Sequence, residues 1–206
     1  MQVTVGGVEV DLSSSGVQTL GELIDAVQDA AAEKDEVVVG IELNGERIGP
    51  EQETAQREQE LGPDDVVAFA VQDASALLAG ALEQTRNSLP ELENRLEQVA
   101  MALQSGSRQE AFSMFSDCLT HWRQVIHLLQ VSQACLGYDP AQIEIDGRSL
   151  QQLNEELLSA LQETKQAMEQ GDLVSLSDLL EYELVAKIRQ EATVLDRLIS
   201  MVPRAE

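Results

Sequence analysis

Residues 172–202 read Asp-Leu-Val-Ser-Leu-Ser-Asp-Leu-Leu-Glu-Tyr-Glu-Leu-Val-Ala-Lys-Ile-Arg-Gln-Glu-Ala-Thr-Val-Leu-Asp-Arg-Leu-Ile-Ser-Met-Val, and this stretch decides the fold. Its apolar residues recur at spacings of three and four, or sums of these, with no Pro or Gly to interrupt a helix. The stripe consists of Leu173, Leu176, Leu180, Leu184, Ile188, Leu195, Leu198 and Val202, widened by Leu179 and Ile199. Because such a helix is stable only when other helices cover its apolar face, the stretch predicts a helical domain.

Acidic residues and a tyrosine lie beside this stripe, at Asp178, Glu181, Tyr182 and Glu183. One interpretation is structural, in which Glu183 pairs with Lys187 four residues later and Tyr182 packs against a neighbouring helix. The other is functional, in which this acidic edge with its tyrosine receives a basic peptide or helix. The four residues are therefore the candidate partner-binding site.

The composition limits the kinds of partner. The 206 residues include 37 acidic and 13 basic ones, which gives a net charge of −24. Such a surface repels phosphate backbones and anionic lipids, so neither nucleic acid nor a membrane is expected as a partner. The N-terminus has no secretory-signal pattern, and no apolar run approaches the roughly 20 residues of a membrane span. We therefore expect a cytoplasmic protein.

The two cysteines agree with a reducing compartment. Cys118 and Cys135 fall on one predicted helix, where 17 residues at 1.5 Å each separate them by about 25 Å. A disulfide cannot bridge that distance within one chain. Both are interpreted as small buried apolar residues, with a reactive or intermolecular thiol as the alternative.

The first 73 residues have the pattern of a small sheet with one helix. Alternating residues on both sides of Gly6-Gly7 predict an antiparallel hairpin, namely Val3, Val5, Val8, Val10 and Leu12. Thr19 and Glu22 form a capping box that begins a helix running to about Lys34. Two strands joined by Asn44-Gly45 follow, then a polar, irregular segment, then a strand over residues 66–71.

This element order resembles a ubiquitin-like β-grasp, with a helical crossover between the second and third strands. The resemblance is one of element order. Gln72-Asp73 leads directly into helix-forming sequence instead of a flexible di-Gly tail, so conjugation to other proteins is not expected. A recognition or packing role is the favoured interpretation of this domain.

The remainder of the chain, residues 74–206, predicts four amphipathic helices. The first has a heptad seam from Leu78 to Leu103 that keeps its phase across Pro90, which favours a kink over a break. Capping boxes at Ser107 and Ser149 begin the second and third helices, and residues 172–202 form the fourth. The inward face of the second is expected to comprise Ala111, Phe115, Leu119, Trp122, Ile126 and Leu129. The fold class is therefore α+β, with a β-grasp-like domain at 1–73 and an antiparallel four-helix bundle at 74–206.

One constellation contains residue types that could bind a metal or catalyse a reaction. Cys118, His121 and Trp122 lie within two turns of the second helix, and thiolate and imidazole are transition-metal ligands. The second histidine, His127, points to another side of that helix, and the chain contains no Glu-x-x-His pair. No Gly-x-Ser-x-Gly, phosphate loop or His-Glu-x-x-His motif occurs either. We therefore expect neither an enzyme nor a cofactor or metal.

The run from Ala167 to Leu184 resembles an uncharacterised group of bacterial proteins that share an Asp-Leu-Leu-Glu-Tyr-Glu-Leu element. The resemblance implies a bacterial origin and a helical bundle, and brings no catalytic residues with it. Small acidic helical proteins also resemble flagellar and type III secretion chaperones in general character.

The sequence thus favours a non-enzymatic bacterial protein-binding module, adaptor or chaperone-like, whose partner is a protein with a basic or helical segment. The alternative is a bundle that binds a small ligand or metal, or an enzyme, with a pocket near Trp122, His121 and Cys118. An exposed apolar groove between helices would favour the first function, and a closed polar cavity the second.

Overall fold

The computed structural model describes residues 1–10 and 16–203. The protein is α+β and divides into two compact units, Met1–Leu77 and Leu78–Pro203. The first contains a mixed sheet, and the second is helical. Leu12, which was predicted to extend the second strand, lies outside the described residues.

The sheet of the first unit has five strands in the order β2-β1-β5-β3-β4. Their bounds are β1 Gln2–Val5, β2 Val8–Val10, β3 Glu36–Leu43, β4 Glu46–Ile48 and β5 Val66–Asp73. β1 and β5 run parallel at the centre, whereas the other neighbouring pairs are antiparallel. Helix α1, Leu20–Ala32, connects β2 to β3.

Local turn chemistry explains the strand connections. Gly6 and Gly7 both have positive φ, as the two-residue turn between β1 and β2 requires. Asn44 and Gly45 do the same between β3 and β4. Thr19 and Glu22 form the predicted capping box at the start of α1. The structure confirms these predictions. They could be made from the sequence because each depends only on residues that are close together in the chain.

The segment predicted to be irregular contains a helix, α2, at Pro50–Gln56. Pro50 occupies the first helical position, where its missing N–H costs nothing. The carbonyl oxygen of Arg57, just after α2, accepts a hydrogen bond of 2.8 Å from the Gly21 amide in α1. A Cβ on Gly21 would lie 2.9 Å from that oxygen, so the two chain segments can approach this closely only because residue 21 is glycine.

The core of the first unit lies between α1 and one face of the sheet. It consists of Val3, Leu20, Leu23, Ile24, Val27, Ile41, Val67 and Phe69. The β1, β3 and β5 members of this set are opposite one another in the strand register, which places them on one face.

The second unit contains most of α3, two further long helices and a composite fourth segment. These are α3 Ala74–Gln104, α4 Arg108–Leu136 and α5 Leu150–Gln170, followed by α6 Leu173–Asp178, a π-helical segment Leu179–Leu184 and α7 Val185–Met201. α3 is continuous across Pro90, as the unbroken heptad phase predicted. Gly137 and Gly171 end α4 and α5 in left-handed conformations.

The buried face of α4 differs from the prediction. Cys118 and Val125 are buried, whereas Leu119 is 36% exposed and Ile126 is only partly buried. The buried positions of α4 thus follow alternating spacings of four and three. Cys118 and Val125 occupy the inward positions that were assigned to the larger Leu119 and Ile126. Cys135 is exposed, so the prediction that both cysteines are buried is correct only for Cys118.

The starts of α4 and α5 test the capping boxes predicted at Ser107 and Ser149. Ser149 forms the predicted capping box with Gln152, but the Ser107 side chain makes no capping hydrogen bond. A short hairpin precedes α5, with β6 Glu144–Ile145 and β7 Arg148–Ser149 closed by Asp146-Gly147. None of the helices in the described residues is long and apolar enough to cross a membrane.

Candidate functional site

The run that carries Tyr182 forms a π-helix. Leu179–Leu184 lies between α6 and α7 without a break in the helical path. In a π-helix each N–H bonds to the carbonyl five residues earlier, which adds one residue to the turn and changes which side chains share a face. Such segments are rare and occur frequently at functional sites.

The π-helical segment is anchored on its inner side. Leu180 and Leu184 are fully buried in the helical core. Ser177, just before it, is also buried, and its Oγ donates a hydrogen bond of 3.5 Å to the carbonyl oxygen of Ala100 on α3. Gln104 Nε2, near the end of α3, donates to Ser177 Oγ at 3.1 Å and to Glu181 Oε2 at 3.4 Å. These contacts position the outer side of the segment.

The outer side presents the predicted site residues. Asp178, Tyr182 and Glu183 are exposed, and Glu181 is half-buried. Tyr182 is 65% exposed. Hydrogen bonding to Glu181, together with the negative charges of Glu181 and Asp178, raises the pKa of the Tyr182 phenol. The site is therefore a phenol in a strongly negative environment that is open to solvent.

The two contacts predicted for a purely structural role differ from those observed. Lys187 binds Glu156 on α5, with 2.6 Å between Nζ and Oε2, instead of Glu183. The predicted spacing of four residues assumed an α-helix, and the π-helical segment alters that geometry. Tyr182 remains largely in solvent instead of packing against a helix. The core packing of this segment therefore comes from its leucines.

Exposed apolar residues accompany the acidic group. Val174, on α6, is 74% exposed. Met101 is 59% exposed and directly follows Ala100, the residue that Ser177 contacts. An acidic surface with isolated apolar side chains suits a partner segment that carries both basic and apolar residues.

The other predicted constellation, Cys118, His121 and Trp122 on α4, is buried or half-buried. Cys118 is buried, and burial raises the pKa of its thiol to about 11, which disfavours the thiolate needed for nucleophilic attack or metal binding. His121 Nε2 lies 2.8 Å from Ser88 Oγ, and burial lowers the pKa of the imidazole. Trp122 is 97% buried, and its Nε1 has no hydrogen-bond partner among the described residues.

A cleft on the helical unit is lined by residues other than Cys118, His121 and Trp122. The described residues contain no metal-ligand cluster. Within residues 1–10 and 16–203, no group of three His, Cys, Asp or Glu side chains could hold a metal ion. A cleft of about 290 Å³ lies between α4 and α5 and is lined mainly by apolar residues, including Ile126, Leu129, Tyr138, Leu157 and Leu158. Leu158, at its rim, is 53% exposed.

Sequence reasoning missed one unusual residue, Glu191 on α7. Its side chain is 98% buried, and its Oε2 has no hydrogen-bond partner among the described residues. Burial raises the pKa of this carboxyl to about 7, an effect that the charge of Lys187 partly offsets. The signal was a spacing of seven residues between Ile188 and Leu195 in the apolar stripe, because Glu191 occupies the inward position between them.

Comparisons with known proteins agree with the resemblance to an uncharacterised bacterial family. A family model described as Domain of unknown function (DUF8042) matches residues 80–191, and one described as TP0873 N-terminal domain matches residues 1–72. A relative from Treponema pallidum (strain Nichols), described as an uncharacterized protein, is 25% identical over 193 residues, which cover 92% of this chain and 93% of the relative. No solved structure shows significant similarity. Because the first family model covers more than half of the chain, the protein belongs to the family of the domain of unknown function DUF8042.

Proposed function

We propose that this protein is a non-enzymatic, adaptor or chaperone-like binding module of the bacterial cytoplasm. Its partner is a protein segment that carries basic residues, and its binding site is formed by Asp178, Glu181, Tyr182 and Glu183. Neither nucleic acid nor a membrane surface is part of the proposal, because the net charge of −24 opposes both.

We assign finer folds to the two units as part of this proposal. A β-grasp is supported by the strand order of the first unit, with parallel β1 and β5 at its centre and α1 between β2 and β3. An antiparallel four-helix bundle is supported in the second unit if α6, the π-helical segment and α7 count as one helix. The buried cluster of that unit contains residues from all four helices. The proposed domains are residues 1–73 and 74–206.

The observation that carries the proposal is the exposure of Tyr182 on a π-helical segment among carboxylates. A large aromatic side chain gains free energy from burial, so 65% exposure leaves much of that gain for a partner to supply. Tyr and Arg are enriched among residues that dominate binding energy at interfaces. A guanidinium over the Tyr182 ring could also bind a neighbouring carboxylate.

The charge of the site identifies the chemistry of the partner. Asp178, Glu181 and Glu183 lie within six residues, and no basic side chain falls in that stretch. Association with a basic segment is then steered by electrostatic attraction, so its rate falls as salt is added. An acidic or neutral segment of the same length gains no such attraction.

Site-specific crosslinking tests the proposal. A photoreactive amino acid in place of Tyr182, introduced in cells that make the protein naturally, should form an adduct with one protein through a basic segment. The same amino acid at the exposed position of Gln124, on α4, is the matched control. Replacing Asp178 with Asn and Glu183 with Gln should reduce the yield at position 182. Equal yields at both positions, or no effect of removing the charges, would contradict the proposal.

A second candidate function is a ligand-binding or enzymatic bundle with a site near Trp122, His121 and Cys118. Its specific support is the unpartnered, buried Nε1 of Trp122, which could donate a hydrogen bond to a ligand. Titration with zinc or a small-molecule library, followed by the fluorescence of this single tryptophan, tests it. A saturable change that His121→Ala abolishes would favour this function over the first.

A further inference from the structure

Glu191 occupies a core position of α7 where an apolar residue is expected. Val194, Leu195 and Leu198 continue the buried face beyond it, and Ile188 precedes it by three residues. Glutamate is almost never fully buried unless it is paired. Here Oε2 has no partner among the described residues, although its side chain is 98% buried. The residue therefore lowers the stability of the packed helix whenever it carries a charge.

The cation best placed to neutralise Glu191 is engaged elsewhere. Lys187 is one turn earlier on α7, but its Nζ lies 2.6 Å from Glu156 Oε2 on α5 and 3.4 Å from Gln190 Oε1. Glu156 also accepts a hydrogen bond of 2.8 Å from Arg148. Lys187 is thus fixed in a surface network, and only its longer-range charge acts on Glu191.

Charged groups on the other elements of the unit are likewise in surface pairs or in solvent. On α3, Arg86 pairs with Asp196 and Glu93 pairs with Arg189. On α4, His121 is hydrogen-bonded to Ser88. On β6, Glu144 is exposed to solvent. Within the described residues, none of these groups forms a salt bridge or hydrogen bond with Glu191. An ionised Glu191 has no counter-charge in contact.

The π-helical segment provides a point at which α7 can separate from α6. It ends at Leu184, one residue before α7 begins, and interrupts the regular hydrogen-bond pattern of the helix. Departures from regular helix geometry occur at bends and hinges. α7 is therefore a segment of 17 residues with an irregular turn before it and a destabilising side chain near its middle.

We infer that Glu191 acts as a proton-operated latch on α7: protonation of the carboxyl favours the packed helix, and ionisation favours its release. Release gives Glu191 access to water and exposes the apolar side chains of α7 to a partner. Opening of α7 grows as the pH rises from about 4.5, the pKa of an exposed glutamate, and levels off above about 7, where burial places the pKa of the packed carboxyl. The inference does not depend on the partner site at Tyr182.

Hydrogen exchange of the full chain at pH 6 and pH 8, followed by mass spectrometry, tests the latch. After correction for intrinsic exchange rates, opening of residues 185–201 should rise about tenfold between the two pH values, since the packed carboxyl has a pKa of about 7 and an exposed one about 4.5. Peptides from the sheet of residues 1–73 should change less.

Two variants separate the latch from general effects of pH. Glu191→Gln keeps the shape of the side chain and cannot ionise, so its α7 peptides should show no tenfold rise. Glu83→Gln, which removes an exposed carboxylate on α3, should behave like the wild type. The inference is wrong if Glu191→Gln keeps the wild-type pH dependence, if α7 opens equally at both pH values, or if all parts of the chain open to the same extent.

Discussion

Lys187 on α7 and Glu156 on α5 form an ion pair with 2.6 Å between Nζ and Oε2, and this pair joins the two helices. Hydrogen bonds from Lys187 and Arg148 lower the pKa of the Glu156 carboxyl. Lys187 is only 15% exposed and Glu156 is 39% exposed, so solvent screens the pair in part. On the same helix, Glu191 Oε2 has no hydrogen-bond partner among the described residues.

A double-mutant cycle should measure this ion pair. With Lys187→Met, Glu156→Gln and the double variant, we expect a coupling energy of about 1 kcal/mol or less at pH 7. Because the folded pKa of Glu156 is depressed, the coupling is present above the unfolded pKa near 4.5 and is lost as the pH falls through the lower folded pKa. Urea unfolding at pH 7 and at about pH 3 checks this. A coupling that is equal at both pH values would contradict the assignment.

Glu191 should make the free energy of unfolding depend on pH in the opposite direction. Its folded pKa, about 7, is above the unfolded value near 4.5, so stability falls as the pH rises from about 4.5 to 7 and stays low above that. A shift of this size corresponds to about 3 kcal/mol. Glu191→Leu should therefore raise the free energy of unfolding at pH 8 by a comparable amount, measured by urea unfolding. Glu83→Gln is the control, and a Glu191→Leu variant no more stable than wild type at pH 8 would contradict the prediction.

Tyr182→Ala should leave stability nearly unchanged. The side chain is 65% exposed, and surface substitutions usually alter the free energy of unfolding by about 0.5 kcal/mol or less. Leu184→Ala, two residues later and fully buried, should cost about 2–5 kcal/mol. Thermal and urea unfolding of both variants provide the measurement. A loss for Tyr182→Ala comparable to that for Leu184→Ala would favour a structural role over a binding role.

Two glycine substitutions should have opposite effects. Gly21→Ala places a Cβ 2.9 Å from the Arg57 carbonyl oxygen, so the backbone of one segment must shift, at a cost of about 1–3 kcal/mol. Gly80 lies within α3, and a Cβ there meets no atom within 4 Å. Gly80→Ala should therefore stabilise the helix by about 1 kcal/mol. Urea unfolding distinguishes the two, and a neutral Gly21→Ala would contradict the close approach of α1 to Arg57.

Most of the predicted turns and helix caps, which depend on neighbouring residues, were predicted correctly. The Gly6-Gly7 and Asn44-Gly45 turns and the capping boxes at Thr19 and Ser149 need only a few adjacent residues to form. The Ser107 box failed because the side-chain bond also requires the local backbone geometry, which the tight turn at residues 104–108 does not provide. Helix α2 was missed because its seven residues, five of them polar, give no apolar periodicity.

The candidate site divides in the same way. The sequence identified Asp178, Glu181, Tyr182 and Glu183 as an unusual group, because acidic residues and a tyrosine beside a leucine stripe are visible without coordinates. It did not predict that the group lies on a π-helical segment, that Tyr182 is exposed, or that Lys187 binds Glu156. Each of these features depends on contacts that residues of α3 and α5 make with the segment and with Lys187 after it.

The sequence by itself determined the α+β class, the sheet at the start of the chain, the helices after it and the limits of most elements, because turns, caps and apolar periodicity act over short distances. Only the tertiary structure decided the hydrogen-bond register of residues 179–184, the exposure of Cys135 and the burial of Glu191. Those outcomes depend on packing between helices that are far apart in the chain. One extra residue in a helical turn, or one charged residue at a core position, changes which side chains are exposed to solvent.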